Sequence, residues 1–297
     1  MPLEYSLVLH ADTPAAVTLE GRPADPHDCL LLQQVGGLDG APVDQDVNPW
    51  PGGDGDILGQ LSVRGRTLSV EGLIVAPSRG RLRELERDLR RACAPTVDTW
   101  PVVVDGRVGD PALSLDVRTG EPLVTVDEGA SSQGWGKAFR VTFRSGSSTL
   151  RSHQQHTRSV LPPAPGGGLV FPLVFPLVFT GPAATPSGIT VTNQGDAPAW
   201  PRLLLHGELV NPVVWNVSTG QRLALHTTIF DGETVTLDGR ARTAVSDGPS
   251  GGNRYHTIDR SVSDWWQLHP GDNLIRLLAD GAGPNGHATV VWNDAYL

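Results

Sequence analysis

Apolar and polar residues alternate with a period of two through most of the first half of the chain. Tyr5, Leu7 and Leu9 alternate with Ser6, Val8 and His10; Leu113, Leu115 and Val117 alternate with Ser114, Asp116 and Arg118. Phe139, Val141 and Phe143 alternate with Arg140, Thr142 and Arg144 in the same way. Each run is the pattern of a strand with one face buried. In "WPGGDGDILGQLSVRGRTLSVEGLIVA", Trp50 to Ala76, Leu68, Val70 and Ile74 share one parity and Leu61 and Val63 the other. That predicts a strand whose register slips near Gly65, through a bulge or tight bend.

One stretch changes period. Leu82, Leu85, Leu89 and Cys93 recur at helical spacing in "SRGRLRELERDLRRAC", predicting a helix over 78–93 that Pro95 stops. Its six arginines, between Arg79 and Arg91, interleave with Glu84, Glu86 and Asp88, so they read as a solvated face rather than a nucleic-acid patch. Glu86 and Arg90 form an i,i+4 pair on that wet side.

Polarity rises between Ser145 and Gly168, where "SVLPPAPGGG" ends a run of polar residues. This predicts a linker over 151–168, separating domains at 1–150 and 169–297. "FPLVFPLVF", Phe171 to Phe179, repeats with prolines that forbid a helix interior; it reads as an extended arm or edge strand laid in an apolar groove. Beyond it no helix is predicted. Short apolar runs such as "ITVTN", "PRLLLHG", "PVVWNV", "ETVTL", "DWWQL", "NLIRLL" and "ATVVW" recur about every ten residues, with turn signals between them. Evenly spaced short strands point to an antiparallel sandwich or jelly roll.

Composition sharpens this picture. Gly 35 and Pro 25 in 297 residues fit many turns and short strands. The net charge of −9 gives no basic footprint for nucleic acid. The start lacks a basic segment followed by a long apolar run, so synthesis in the cytoplasm is expected. Cys29 and Cys93 lack CxxC spacing and read as two buried thiols.

Candidate chemistry is sparse. "GGDGD" could open a calcium loop, but Leu58 and Gln60 break the acidic alternation; a phosphate loop would need a Lys-Ser/Thr pair and a following helix. A turn feeding a strand is the favoured reading. His153 and His156 give an HxxH without a third ligand. No carboxylates pair by spacing as in a glycosidase, and no GxSxG elbow occurs. The expectation is no catalytic residue, no metal site and no cofactor. Adjacent Trp265 and Trp266 would face opposite sides of a strand, one in the core and the other a candidate glycan platform; the favoured alternative is that both are covered. Asn216 in "NVS" matches a glycosylation sequon with no use in an unexported chain.

"PWPGGDGDILGQLSVRGRTLSVEGLIVAPS" before a Leu/Arg helix resembles the distal tail proteins of long-tailed bacteriophages, as do "FPLVFPLVF", "ITVTNQGDAPAWPRLLLHG", "SDWWQLHPGDNLIRLL" and "ATVVWNDAYL" in that order. The resemblance covers nearly the whole chain. It implies a mainly β protein of two β-sandwich domains, the first tail-tube-like with one flanking helix and the second galectin-like. It further implies a homo-hexameric ring at the distal end of the virion tail, joining the tail tube protein to the tail-tip hub. Receptor-binding proteins, and the tape measure, are further implied partners. DNA would pass an acidic lumen without specific binding, and no membrane is involved. In some relatives the last strand returns to the first domain. The rival reading is a carbohydrate-binding adsorption protein acting through the C-terminal sandwich.

Overall fold

A computed structural model of the protein describes residues 3–106, 109, 111–131, 134–163, 188–248 and 251–297. The segment "FPLVFPLVF" lies outside the described residues. The chain divides into two units, Met1–Gln154 with Tyr296–Leu297, and Gln155–Ala295.

Unit 1 contains β1 (Ser6–Leu9), β2 (Val17–Glu20), β3 (Cys29–Gly36), β4 (Val43–Pro49), β5 (Asp56–Val63), β6 (Thr67–Ala76), α1 (Arg79–Ala92), β7 (Trp100–Asp105), β8 (Leu113–Ser131), β9 (Gly134–Arg144) and β10 (Leu150–Ser152). All of these strands but β4 and β5 belong to one large sheet, which curls until β8 meets β9. β8 makes the closure possible. Its first part pairs with β7, Leu113 opposite Val104 through Val117 opposite Trp100, and from Arg118 onward it pairs with β9. Breaks of register along the second part bend the strand round the corner. Gly120 lies at the first of them, where a Cβ would meet the Arg144 side chain at 2.8 Å.

The alternating positions fill the interior. Leu7, Leu9, Leu68, Val70, Ile74, Leu113, Leu115, Val117, Phe139, Val141 and Phe143 are all buried in one cluster. Gly72 interrupts the β6 series because Phe139 occupies its place: a Cβ there would meet the ring at 2.5 Å. The helix lies across this core. Ser78 caps it, its hydroxyl accepting from Arg81 N at 3.2 Å, and Leu82, Leu89 and Ala92 are buried beneath it. Each such leucine contributes on the order of 2 kcal/mol.

Glu86 is not on a wet side, and here the structure corrects the sequence. Its carboxylate accepts from Lys137 Nζ on β9 at 2.9 and 3.0 Å as well as from Arg90 at 2.7 Å. Both Glu86 and Lys137 are largely buried. Burial pushes the Glu86 carboxyl up, but the bonds from Lys137 and Arg90 outweigh it and hold it below its ordinary value. Helical spacing gives the face on which a residue sits; it does not reveal a lysine arriving from a strand far along the chain. The arginines are otherwise paired or exposed: Arg81 reaches Asp28 at 2.9 Å, and Arg91 reaches Asp88 at 3.4 Å.

The expected linker begins later than 151. Arg151 and Ser152 belong to β10 and pair with β8, because Leu150 and Ser152 are buried against unit 1 while Arg151 meets Asp116 at 2.6 Å. His156–Val160 is β11, the first strand of unit 2. Polar composition misleads here, since an edge strand with one covered face needs few apolar residues.

Unit 2 continues with β12 (Ile189–Asn193), β13 (Arg202–His206), β14 (Leu209–Val210), β15 (Val213–Asn216), β16 (Gln221–Ala224), β17 (Thr228–Ile229), β18 (Thr234–Asp238), β19 (Thr243–Ser246), β20 (Gly252–Asn253), β21 (Gly271–Leu278), β22 (Gly281–Ala282) and β23 (His287–Trp292). β24 (Ala295–Tyr296) falls on the division and is counted in the large sheet, next to β10; Tyr296, a residue of unit 1, packs against that unit's core. A six-stranded sheet, β11-β23-β13-β18-β19-β20, supplies Leu203, Leu205, Val235, Leu237, Ala288 and Val290 to the core. A four-stranded sheet, β12-β21-β15-β16, supplies Val191, Val214, Leu223, Ile275 and Leu277 to the same cluster. The protein is therefore mainly β, with one α-helix among the described residues, and its second unit is a sandwich.

Buried asparagines lock the turns between those sheets. Asn193 donates to Ala197 O at 2.8 Å and to Leu268 O at 3.2 Å while accepting from Gly195 N at 3.1 Å. Asn216, the sequon residue, has no exposed surface. "DWWQL" is not a strand: of these residues only Leu268 makes a bridge, to Ala199.

Two predictions follow from burial. Cys29 and Cys93 are unpaired and buried, and desolvation first of all pushes their thiols up to about 11 and about 12. Native protein is therefore expected to give no fast reaction with a disulfide thiol reagent at pH 8, and two equivalents after denaturation; rapid native labelling would contradict it. The second concerns acid. His206 stacks on His287 at 4.3 Å and exchanges hydrogen bonds with the Thr234 and Thr289 hydroxyls, both at 3.3 Å. Burial, then the His287 charge, holds His206 below the usual histidine value, outweighing nearby Asp247. The folded state therefore resists protonation: this contribution to stability is complete above about pH 6.5 and falls away as pH drops below it. Melting of the full chain should decline from pH 7.5 to 5.5, and H206Q should flatten that decline; an unchanged slope in H206Q would show that His206 does not carry it.

Candidate functional site

The stretch that holds "GGDGD" forms a ribbon outside the barrel. β4 and β5 pair only with each other, and every residue of both strands is exposed. The opposite parities of Leu61 and Leu68 are thereby explained. They belong to two strands in two sheets, so the expected slip near Gly65 is a complete change of sheet rather than a bulge.

The turn at the tip is built by its glycines. Trp50 N donates to Gly55 O at 2.9 Å, and Gly52 and Gly55 have φ of +78° and +107°. Those angles are open to glycine at no steric cost. Asp54 lies in this turn and Asp56 opens β5, and among the described residues no group of three His, Cys, Asp or Glu is placed to hold a metal ion.

A buried arginine fixes the other end. Arg66 is 1% exposed. Its Nε donates to Ser148 O at 2.8 Å and its Nη1 to Leu38 O at 2.7 Å and Gly37 O at 3.2 Å. Its own backbone bonds Ser147 O and is bonded by Ser145 N. The guanidinium therefore ties together the two chain segments at the root of the ribbon and the segment after β9. Arg64, just outside, pairs with Asp44.

The ribbon presents an aliphatic strip. Val43 pairs with Val63, Gln45 with Leu61 and Val47 with Leu58, and paired residues share a face. Val43, Val47, Leu58, Leu61 and Val63 are 48–65% exposed, and Trp50 at the tip is 57% exposed. A bulge between Gln45 and Val47 sets Gly59 against Asp46, where a Cβ would lie 3.0 Å from the aspartate's own Cβ. An isolated two-stranded ribbon is marginal in water, and a contiguous apolar strip marks an interaction site. The strip was present in the sequence as the off-parity pair Leu61 and Val63. Aliphatics in a strand read as core unless the partner strand is known.

The other candidates disperse. His153 lies 3.7 Å from Asp12 and His156 lies 3.2 Å from Asp294, so each histidine of the HxxH has its own acidic neighbour. Trp266 is 2% exposed inside the second core, and Trp265 is half-buried against the same cluster. The Trp266 indole is therefore core, although its segment is not a strand and its neighbours Asp264 and His269 are exposed. No helix among the described residues is long and apolar enough to cross a membrane.

Comparison with known proteins bears on the fold and on the second unit. The family model for the siphovirus-type tail component, C-terminal domain, matches residues 194–296. The matched segment is about a third of the chain. Across 90% of this chain and 93% of its own, the crystal structure of SPP1 Dit (gp 19.1), described as a paradigm of the hub adsorption apparatus in phages infecting Gram-positive hosts, superposes with a TM-score of 0.62 at 16% identity. Two structures of the phage P2 baseplate in its activated conformation, with calcium and with strontium, match across 97% of both chains, with TM-scores of 0.52 and 0.51 at 11% and 10% identity. No curated protein sequence matches.

Proposed function

We propose that the protein is a structural distal tail subunit of a long-tailed phage, in which unit 1 self-associates into a six-membered ring. The ring would join the tail tube to the tail-tip hub, and unit 2 would be carried as an appendage near the host-attachment proteins. The tail-component family of residues 194–296 and the fold shared with SPP1 Dit along 90% of the chain support a structural role in a tail or baseplate. The observation that carries self-association is the ribbon: a strip of five aliphatic side chains on a two-stranded sheet with both faces in water.

Covering that strip with a neighbouring copy would remove several half-exposed aliphatics from water, each worth on the order of 1 kcal/mol. The hydrogen-bonding edges of β4 and β5 would also be satisfied or shielded by the neighbour. Six copies of a −9 chain form a strongly acidic assembly, which suits a conduit for DNA because phosphate is repelled rather than held.

L58D combined with L61D tests the reading. Both side chains are more than half exposed, so the protomer should keep its fold, with unchanged circular dichroism. Light scattering of the wild type at rising concentration is expected to reach the mass of six copies, and the double variant is expected to stay at one. Assembly of the variant at wild-type concentrations would remove the ribbon from the interface. A wild type that stays monomeric throughout would count against autonomous ring formation.

A further inference from the structure

The outer face of the four-stranded sheet carries side chains that the ring role leaves unused. Trp215 is on β15, with Arg222 of β16 and Arg276 of β21 directly opposite on either side. The alternate residues Val214, Leu223 and Leu277 enter the core, so the indole and both guanidinium groups stand on the outward face.

The loop 259–264 walls this face into a recess. Asp264 N donates to Arg222 O at 2.8 Å, Asp259 N donates to Ala224 O at 3.0 Å, and Ala224 N donates to Ser263 Oγ at 2.9 Å. Arg222 Nε reaches Val262 O at 3.4 Å. The loop is therefore tied along β16, and the recess it borders has a volume of about 370 Å³. Trp215, Arg222, Arg260, Ser261, Ser263 and Asp264 line it. Among the described residues neither Arg222 nor Arg260 has a carboxylate partner; Arg260 lies over the Tyr255 ring at 5.2 Å. Two guanidinium groups against the single carboxylate of Asp264 leave the recess net positive, in a chain of net charge −9, and form a local site for an anion. An indole beside them offers an apolar surface, and a serine hydroxyl and a carboxylate offer partners to hydroxyl groups.

We propose that this recess binds one unit of an anionic saccharide, its ring against Trp215 and its carboxylate or phosphate held by Arg222 and Arg260. A bare anion would leave the indole unused, and a neutral sugar would leave the guanidinium groups unused. The site does not depend on ring formation, and it is distinct from Trp265 and Trp266.

The full chain labelled with 5-fluorotryptophan gives eight tryptophan signals to follow, the Trp215 signal being identified by W215F. Glucuronate, galacturonate and glucose 6-phosphate are titrated to about 20 mM, with glucose, galactose and inorganic phosphate as controls. The expected result is a saturable shift of the Trp215 signal with at least one acidic sugar, and apparent affinity at least about tenfold weaker for its neutral counterpart and for phosphate. The carboxylate and phosphate arms distinguish the two acid groups. R222A with R260A, both exposed positions, should lose at least about tenfold in affinity while melting as the wild type does. No shift with any acidic sugar overturns the proposal, as does an equal response to glucose or to phosphate alone. A response that survives R222A with R260A overturns the assignment of the acid group. If W215F fails to fold, the signal displaced by R222A in otherwise native protein supplies the assignment.

Discussion

Every strand has two edges, and each edge is a row of backbone donors and acceptors that must be paired, covered or wetted. Unit 1 meets this constraint by closure. β8 leaves β7 at Val117 and takes up β9 at Arg118, so the curled sheet ends on itself. The consequences run through the unit. The interior must be filled by alternate residues from all round the sheet, Gly72 must make room for Phe139, and α1 adds Leu82, Leu89 and Ala92 to the same core. The two strands that do not fit into the closed sheet, β4 and β5, are expelled as a ribbon and anchored by Arg66 at its root.

Unit 2 solves the same problem without closure. Two sheets face each other, and the turns that join them would bury backbone groups. Asn193 and Asn273 supply the missing partners: Asn273 accepts from His269 N at 3.1 Å and donates to His269 O at 2.8 Å. Both asparagines are fully covered, so their amides serve as extra peptide groups inside the sandwich.

What could be read in the sequence was whatever depends on neighbours along the chain. Period-two runs at Leu7, Leu113 and Phe139 found strands, helical spacing from Leu82 to Leu89 found α1, and regular short runs found the second sandwich. What depends on the partner across space stayed hidden. Leu61 and Leu68 differ in parity because they serve different sheets; Glu86 is covered because Lys137 reaches it; Trp266 is core although its segment forms no strand. Trp215 carries no signal along the chain. Its recess exists only because Arg222 comes opposite it in register and loop 259–264 folds along β16, and neither follows from the apolar run "PVVWNV" in which it sits.

The charges on the ribbon impose a handedness on any contact it makes. From Val43 to Arg64 there are four aspartates, Asp44, Asp46, Asp54 and Asp56, against the single Arg64. Two ribbons laid edge to edge about a two-fold axis would set acid against acid, so a self-complementary dimer is penalised although the aliphatic strip alone would favour it. A contact that places the ribbon on a different, less acidic patch of the next copy escapes the penalty. Such a contact is head to tail, leaves a fresh ribbon exposed after every addition, and is satisfied only when the last copy meets the first.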